Sequence, residues 1–456
     1  MVTITLVLVM FVAVLLASIL VRMSPVPVPY PLVQIVLGTG IGMMSDWRLE
    51  LDPEVFFLMF LPPLLFLDGW RIPKEGLFRD KGMILALAFG LVLFTVLGVG
   101  YFIHWLVPVI PLPVAFALAA VISPTDPVAV SAIAARVPVP KRLMHILEGE
   151  SLLNDASGLV SLRFAVVATL TGSFVLTDAM LSFLQLSVGG VLVGVAVTWI
   201  INKSKSWFIH RYGEETGAQI LISLVLPFAA YLCAEHLHCS GILAAVSAGI
   251  SMSYNELSGK VLAVTRVRRA AVWDMLQFAL NGLIFVLLGE QLPHIVAGAR
   301  QIVQETGEPV HRLLLYVVVI NLALGVLRFL WVWISIRVNM LFGAAGDERP
   351  RKVWRIAAAT SVAGARGAAT LAGVLTLPLF MPDGITPFPA RDLTIFLAAG
   401  VIIVSLLVAR FGMPPPLRGL DLPAGPEEHK EEAQASDLAA GAALQAVATR
   451  HTPRSA

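Results

Sequence analysis

Charge is scarce in this chain. Only 14% of its 456 residues are Asp, Glu, Lys or Arg, against 57% hydrophobic. That deficit excludes a soluble domain of this size, which would need far more ionised surface. Cysteine is scarce too: Cys233 and Cys239 alone cannot make a disulfide framework. There is no excess of one sign, since the net formal charge is +2, so nothing points to nucleic acid. No positive stretch precedes the apolar first 21 residues, which therefore read as an uncleaved span rather than a signal peptide. A Ser/His or paired-Asp catalytic set at membrane depth is also missing. His104, the histidine nearest a span interior, has no such partner. This argues against an intramembrane hydrolase, and no enzyme and no cofactor are expected. No continuous polar stripe runs along the spans, as the pore of a cation channel would require.

What the chain has instead is apolar runs of bilayer length. A window of roughly 20 residues gives about thirteen spans. Their limits are 3–21, 28–45, 53–69, 83–107, 113–135, 145–170, 178–202, 217–235, 240–254, 271–293, 313–336, 354–379 and 393–411. With the N-terminus outside, the outer loops hold only Arg48, Arg300, Arg312 and Arg391, and the inner loops hold 22 Lys and Arg. The positive-inside rule then puts the N-terminus outside and the C-terminus in the cytoplasm. An odd count allows two six-span halves joined by a linker span, the second half inverted relative to the first. The fold class expected is all-α: a polytopic membrane protein with two inverted six-helix repeats, a linker helix and two broken crossing helices. The breaks are Pro124 and Pro127 in span 5 and Gly364-Ala365-Arg366-Gly367 in span 12. From Met413 the chain is too polar to span and reads as a mostly disordered cytoplasmic tail, 413–456.

The chemistry concentrates in spans 5 and 6. Asp155 lies about 13 residues past Arg142, roughly 20 Å along a helix, which is midway through the hydrocarbon. Desolvation there disfavours the charged carboxylate. A proton or a bound cation can neutralise it, but not well both at once, and that competition is all that exchange requires. The bland alternative is an acid satisfied by a structural partner. Asn154 precedes it where a second acid would add charge, so one proton per monovalent ion is expected. Ser151 lies one turn earlier on the same helix face. These are hard oxygen donors suited to an alkali ion, with no His/Cys set for a transition metal.

The Pro124/Pro127 break frees carbonyls at Ser123 and Thr125 and leaves two half-helix ends. Asp126 can offset a positive end, and Thr125 can reach an ion. The alternative is a proline kink for packing. Glu150 and Arg366 are both expected at depth, where an unpaired charge is costly, so they are expected to pair as a structural salt bridge. Arg163 and Arg328 are expected to snorkel or pair locally. Asp68, near the inner end of span 3, can draw cations into a funnel; a solvated helix-end acid beside Arg71 is an equal reading. Cys233-Ala234-Glu235-His236-Leu237-His238-Cys239 looks like a metal cluster but lacks the closed four-ligand set in a shaped loop.

Three strings carry a resemblance: Phe60-Leu61-Pro62-Pro63-Leu64-Leu65-Phe66, Ser123-Pro124-Thr125-Asp126-Pro127-Val128-Ala129-Val130, and Glu148-Gly149-Glu150-Ser151-Leu152-Leu153-Asn154-Asp155-Ala156. Ala234-Glu235, His238, Ser240-Gly241-Ile242-Leu243-Ala244 and Gly364-Ala365-Arg366-Gly367-Ala368 support it. The chain resembles the monovalent cation:proton antiporters of the NhaP-type bacterial branch, kin to animal sodium/proton exchangers. The resemblance implies exchange of Na+ (or K+ or Li+) for H+ across the inner (plasma) membrane by a homodimer. It implies a core of 83–170 and 313–412, a dimerisation domain of 1–69 and 217–293, and a linker helix at 178–202. The family's ion-binding aspartate falls on Asp155, its preceding asparagine on Asn154 and its serine on Ser151. The unwound Thr-Asp pair falls on Thr125 and Asp126, and the family's core Glu–Arg pair on Glu150 and Arg366. An Asn-Asp pair implies electroneutral exchange. Transport would be an elevator-like shift of the core against the dimer domain.

Overall fold

A computed structural model describes residues 2–24, 28–44, 53–72, 81–126, 141–172, 176–213, 215–257, 262–305, 309, 311–342 and 353–417. Among these the chain is helical, and the one extended feature is an isolated bridge between Phe380 and Pro387. The helices are α1 (Val2–Met23), α2 (Tyr30–Met44), α3 (Pro53–Arg71), α4 (Lys81–Leu85), α5 (Val92–Leu106), α6 (Leu112–Ile122), α7 (Lys141–Thr171) and α8 (Leu176–Tyr212). They continue as α9 (Thr216–His236), α10 (Gly241–Leu257), α11 (Ala263–Glu305), α12 (His311–Phe342), α13 (Val353–Val362), α14 (Ala368–Leu375), α15 (Arg391–Gly412) and α16 (Pro414–Leu417). Among the described residues, eight helices are long and apolar enough to cross a membrane. Their outward faces carry large apolar side chains at helical spacing, such as Leu8, Val12, Leu15 and Ile19 on α1, which is the surface a lipid solvent favours.

Backbones approach closely where glycine allows it. On α2 and α11, a Cβ at Gly38 would lie 2.0 Å from the Val286 carbonyl oxygen, and one at Gly289 2.1 Å from that of Ile35. Small residues at helix crossings are how membrane helices pack without a hydrophobic drive between them. α10 packs on α3 in the same way, with Gly249 against the Phe66 carbonyl. The α3 end is further fixed by polar ties. Glu256 of α10 accepts from Trp70 at 2.9 Å and pairs with buried Arg269 of α11. Trp273 stacks on Phe66 and donates to Ser223 of α9.

Between α4 and α5 the rod continues as a π-helical segment, Ala86–Leu91. Such a turn displaces carbonyls from the regular ladder. The Ala88 carbonyl accepts from Ser157 of α7 at 2.6 Å, and the Ala86 carbonyl from Trp331 of α12 at 3.1 Å. The segment thereby ties α7 and α12 together two residues from Asp155.

Three expectations change in detail. Hydropathy limits cut helices short: α8 runs ten residues past 202, and α11 extends beyond 271–293 at both ends. Polar turns at a membrane face remain helical because their backbone bonds stay internal to the helix. The chain also stays packed past the expected tail boundary, since Met413 is fully buried and α16 lies against α13 and α15. The remainder of the tail, Pro127 and the 128–135 half of span 5 lie outside the described residues.

Candidate functional site

Two helices stop in the interior of the bundle. α6 ends at Ile122, followed by Ser123–Asp126 in non-helical conformation. α13 ends at Val362, and Ala363–Gly367 is non-helical before α14 begins. The two breaks are joined directly: the Asp126 N–H donates to the Ala365 carbonyl at 2.8 Å. Arg366 spans the crossing. Its Nε donates to the Ile122 carbonyl at 2.7 Å, its Nη1 donates to the Gly364 carbonyl, and its own N–H is held by Ser405 at 2.9 Å. A guanidinium therefore sits at the negative, C-terminal end of α6. Asp126 sits at the positive, N-terminal end of α14. Its carboxylate lies so close to Gly367 that a Cβ there would fall 1.7 Å from Oδ2. Each half-helix end is thus met by a side chain of opposite sign.

Glu150 pairs with Arg328 of α12, not with Arg366. The contact is two-pronged, 2.5 and 2.7 Å, and Arg328 Nε also donates to the Thr360 carbonyl at 2.9 Å. All of these side chains are buried. The expected Glu150–Arg366 bridge gives way because Arg366 is spent on the Ile122 and Gly364 carbonyls, whereas Arg328 gives only its Nε to a carbonyl, that of Thr360, and keeps Nη1 and Nη2 for the carboxylate. The Gly-Ala-Arg-Gly string held the signal, since a break exposes acceptors beside its own arginine. Arg328 is thus the Glu150 partner rather than a snorkelling residue. Arg163 pairs with Glu235 of α9 at 2.9 Å, and Glu235 also accepts from the Gly241 N–H that opens α10.

Thr125 and Asn154 extend the Glu150 network. The Thr125 hydroxyl donates to Glu150 Oε1 at 3.4 Å, and Asn154 Nδ2 donates to Thr125 Oγ1 at 3.1 Å and to Glu150 Oε1 at 3.5 Å. Asn154 therefore binds across to the broken helix and does not line the cavity beside it.

That cavity encloses about 530 Å³, counting the space at its mouth. It brings together Asp68 of α3, Thr125 and Asp126 of the first break, and Ser151 and Asp155 of α7. Gln277 and Asn281 of α11 and Thr370 of α14 join them, three residues that no motif in the sequence marks. An amide in Leu280-Asn281-Gly282, central in an apolar stretch, was the available clue. Asp155, Ser151 and Thr125 are buried, and Asp68 and Asp126 partly so. Three carboxylates on one small cavity cannot all stay charged without a cation or proton to offset them. Every donor to such a cation is oxygen, a hard ligand set.

The Cys/His string takes another course. His236 donates to the Leu232 carbonyl of its own helix and Cys239 lies against the Leu237 carbonyl. Among the described residues no group of three His, Cys, Asp or Glu has metal-binding proximity.

Residues 9–419 match the family described as sodium/hydrogen exchanger, transmembrane. A protein of Escherichia coli named "Uncharacterized Na(+)/H(+) exchanger YjcE" is 41% identical over 423 residues, 91% of this chain and 76% of the relative. The "Sodium, potassium, lithium and rubidium/H(+) antiporter" of Bacillus subtilis is 42% identical over 388 residues, 84% of this chain. The chain spans 57% of that relative's length. Among solved structures, the sodium proton antiporter MjNhaP1 of Methanocaldococcus jannaschii superposes with a TM-score of 0.69. The match covers 92% of this chain and 99% of that one at 18% identity.

Proposed function

Because the chain belongs to the sodium/hydrogen exchanger family, we propose that it exchanges a monovalent cation for a proton at the cavity around Asp155. It is a multi-pass membrane protein of a transporter family, not an enzyme. One observation carries the reading. Asp155 and Ser151 of one continuous helix face Thr125 and Asp126 of a broken one across a single cavity. Asp155 takes a proton or an alkali ion in alternation. Ser151 and Thr125 supply neutral oxygens to the ion. Asp126 balances the α14 end and adds negative potential. Asp68 draws cations toward the cavity from the α3 side.

The exchange is electroneutral, one cation for one proton, with Asp155 as the group that changes load. Asn154 then serves as a neutral strut between α7 and the break. Sodium is the first-choice ion. Potassium is a second reading, favoured by the Bacillus relative, whose name includes both ions. The working unit is a homodimer in the inner membrane, N-terminus outside and C-terminus in the cytoplasm. Its core (83–170 and 313–412) rises and falls against the dimerisation helices.

The test is cation-induced pH change in everted vesicles. Asp155→Asn abolishes it for every alkali ion, with the variant present at normal level. Retained exchange removes Asp155 from the central role.

A further inference from the structure

Arg71 lies one turn past Asp68 on α3, which puts the two side chains on one helix face. A guanidinium is the most effective internal rival for a cation site. It has the right sign, it stays charged, and it matches a carboxylate two-pronged. Yet Arg71 does not close on the acids of the cavity. It pairs with Asp274 and donates to Gln277 Oε1 at 2.8 Å. Both acceptors are on α11, three residues apart on one face, and Gln277 itself lines the cavity. Arg71 therefore stands beside the cavity and is drawn sideways off it.

Stability does not explain the pair. Its side chains are 38% and 66% exposed, and ion pairs that open to solvent contribute little to folding. Nor is Asp274 needed to fix α3 on α11, since the part-buried Glu256, which joins Trp70 to Arg269, and the buried Trp273–Phe66 stack already do so.

We propose that Asp274 is a tether that holds Arg71 away from Asp68, so that the protein's own guanidinium does not occupy the cation's place. The pair sets the apparent affinity for the transported ion. Neither residue touches the ion, so both are positioning residues. The inference rests on the exchange reading above and adds a determinant of cation affinity outside the binding set. Without Asp274, the nearest carboxylate left to Arg71 along its own helix face is Asp68, and an arginine seated there competes with sodium. Without Arg71 the rival is gone, and the Gln277 carbonyl oxygen is released as well.

The experiment is a sodium titration of exchange by the full chain in proteoliposomes at fixed pH, with half-saturating concentration and maximal rate measured separately. Asp274→Asn raises the half-saturating sodium concentration about fivefold, the effect of one partly exposed charge pair, and leaves the maximal rate near wild type. Asp274→Glu stays near wild type. Arg71→Gln lowers the half-saturating concentration. The double variant Arg71→Gln/Asp274→Asn returns to the Arg71→Gln value, because there is nothing left to tether.

A purely structural pair would give a different pattern. Both single variants would lose yield and maximal rate, the double would be no better, and affinity would not move. That pattern, or an unchanged half-saturating concentration in Asp274→Asn with active wild type, overturns the tether alone. If Asp274→Asn does not fold, Arg71→Gln still decides: an unchanged or raised half-saturating concentration overturns the proposal. A wild type without exchange overturns the exchange reading and the tether with it.

Discussion

Glu150 shows how little freedom a buried charge has. It lies with no exposed surface against Arg328, and removing one partner strands the other in the interior. Arg328→Ala or Glu150→Ala therefore costs about 3–5 kcal/mol. The paired removal costs less than the two losses summed, because no charge is then left alone. Thermal melting of the detergent-solubilised variants measures this, and strictly additive losses contradict the pairing. Arg366→Ala does not rescue Glu150→Ala in the same assay, since Arg366 is spent on the carbonyls of Ile122 and Gly364. Residue types at depth were legible in the sequence. Asp155, Ser151, Thr125, Asp126 and Asp68 stood out as polar groups in apolar runs, and they line one cavity. The choice of partner was not legible. Two arginines and one glutamate at similar depth look alike until the carbonyls of the break are seen to claim one arginine. Asn154 was equally opaque: adjacency to Asp155 suggested an ion ligand, whereas a helical step of one residue turns it through about 100°, toward Thr125.

The elements were legible where hydropathy and breakers agreed. Pro124 and the Gly364–Gly367 string marked helix interruptions that the fold contains. The π-helical segment at Ala86–Leu91 left no mark in the sequence, because no proline or polar residue is needed to widen a turn and the acceptors it frees are met from α7 and α12. Close helix crossings were legible as glycines but not as pairs. The α2–α11 seam makes the point testable. Gly289→Ala would drive a methyl group into the Ile35 carbonyl, 2.1 Å from the ideal Cβ. The backbones must separate, at a cost of about 1–3 kcal/mol. Gly325→Ala on α12 meets nothing within 4 Å and is expected to be neutral or slightly stabilising, by up to about 1 kcal/mol from helix propensity alone. Melting temperatures of the two variants measured side by side check the contrast, and equal effects contradict it.

At the scale of the whole molecule, long apolar runs dictated a helical membrane bundle, and the chain is one. The helix ends escaped the window because hydropathy reads the lipid, whereas a helix ends only where its backbone bonds end. The bundle gathers acids from α3, α7 and the first broken segment around one cavity, and the proposed transport cycle depends on how that gathered charge is neutralised. The most direct measurement is proton release from the purified protein in weakly buffered detergent as sodium is added, with ion binding followed in parallel. About one proton leaves for each ion bound, as a ligand that must shed its proton requires. The release saturates with the ion and disappears in Asp155→Asn. Sodium binding with no proton released, or undiminished release from Asp155→Asn, contradicts the account.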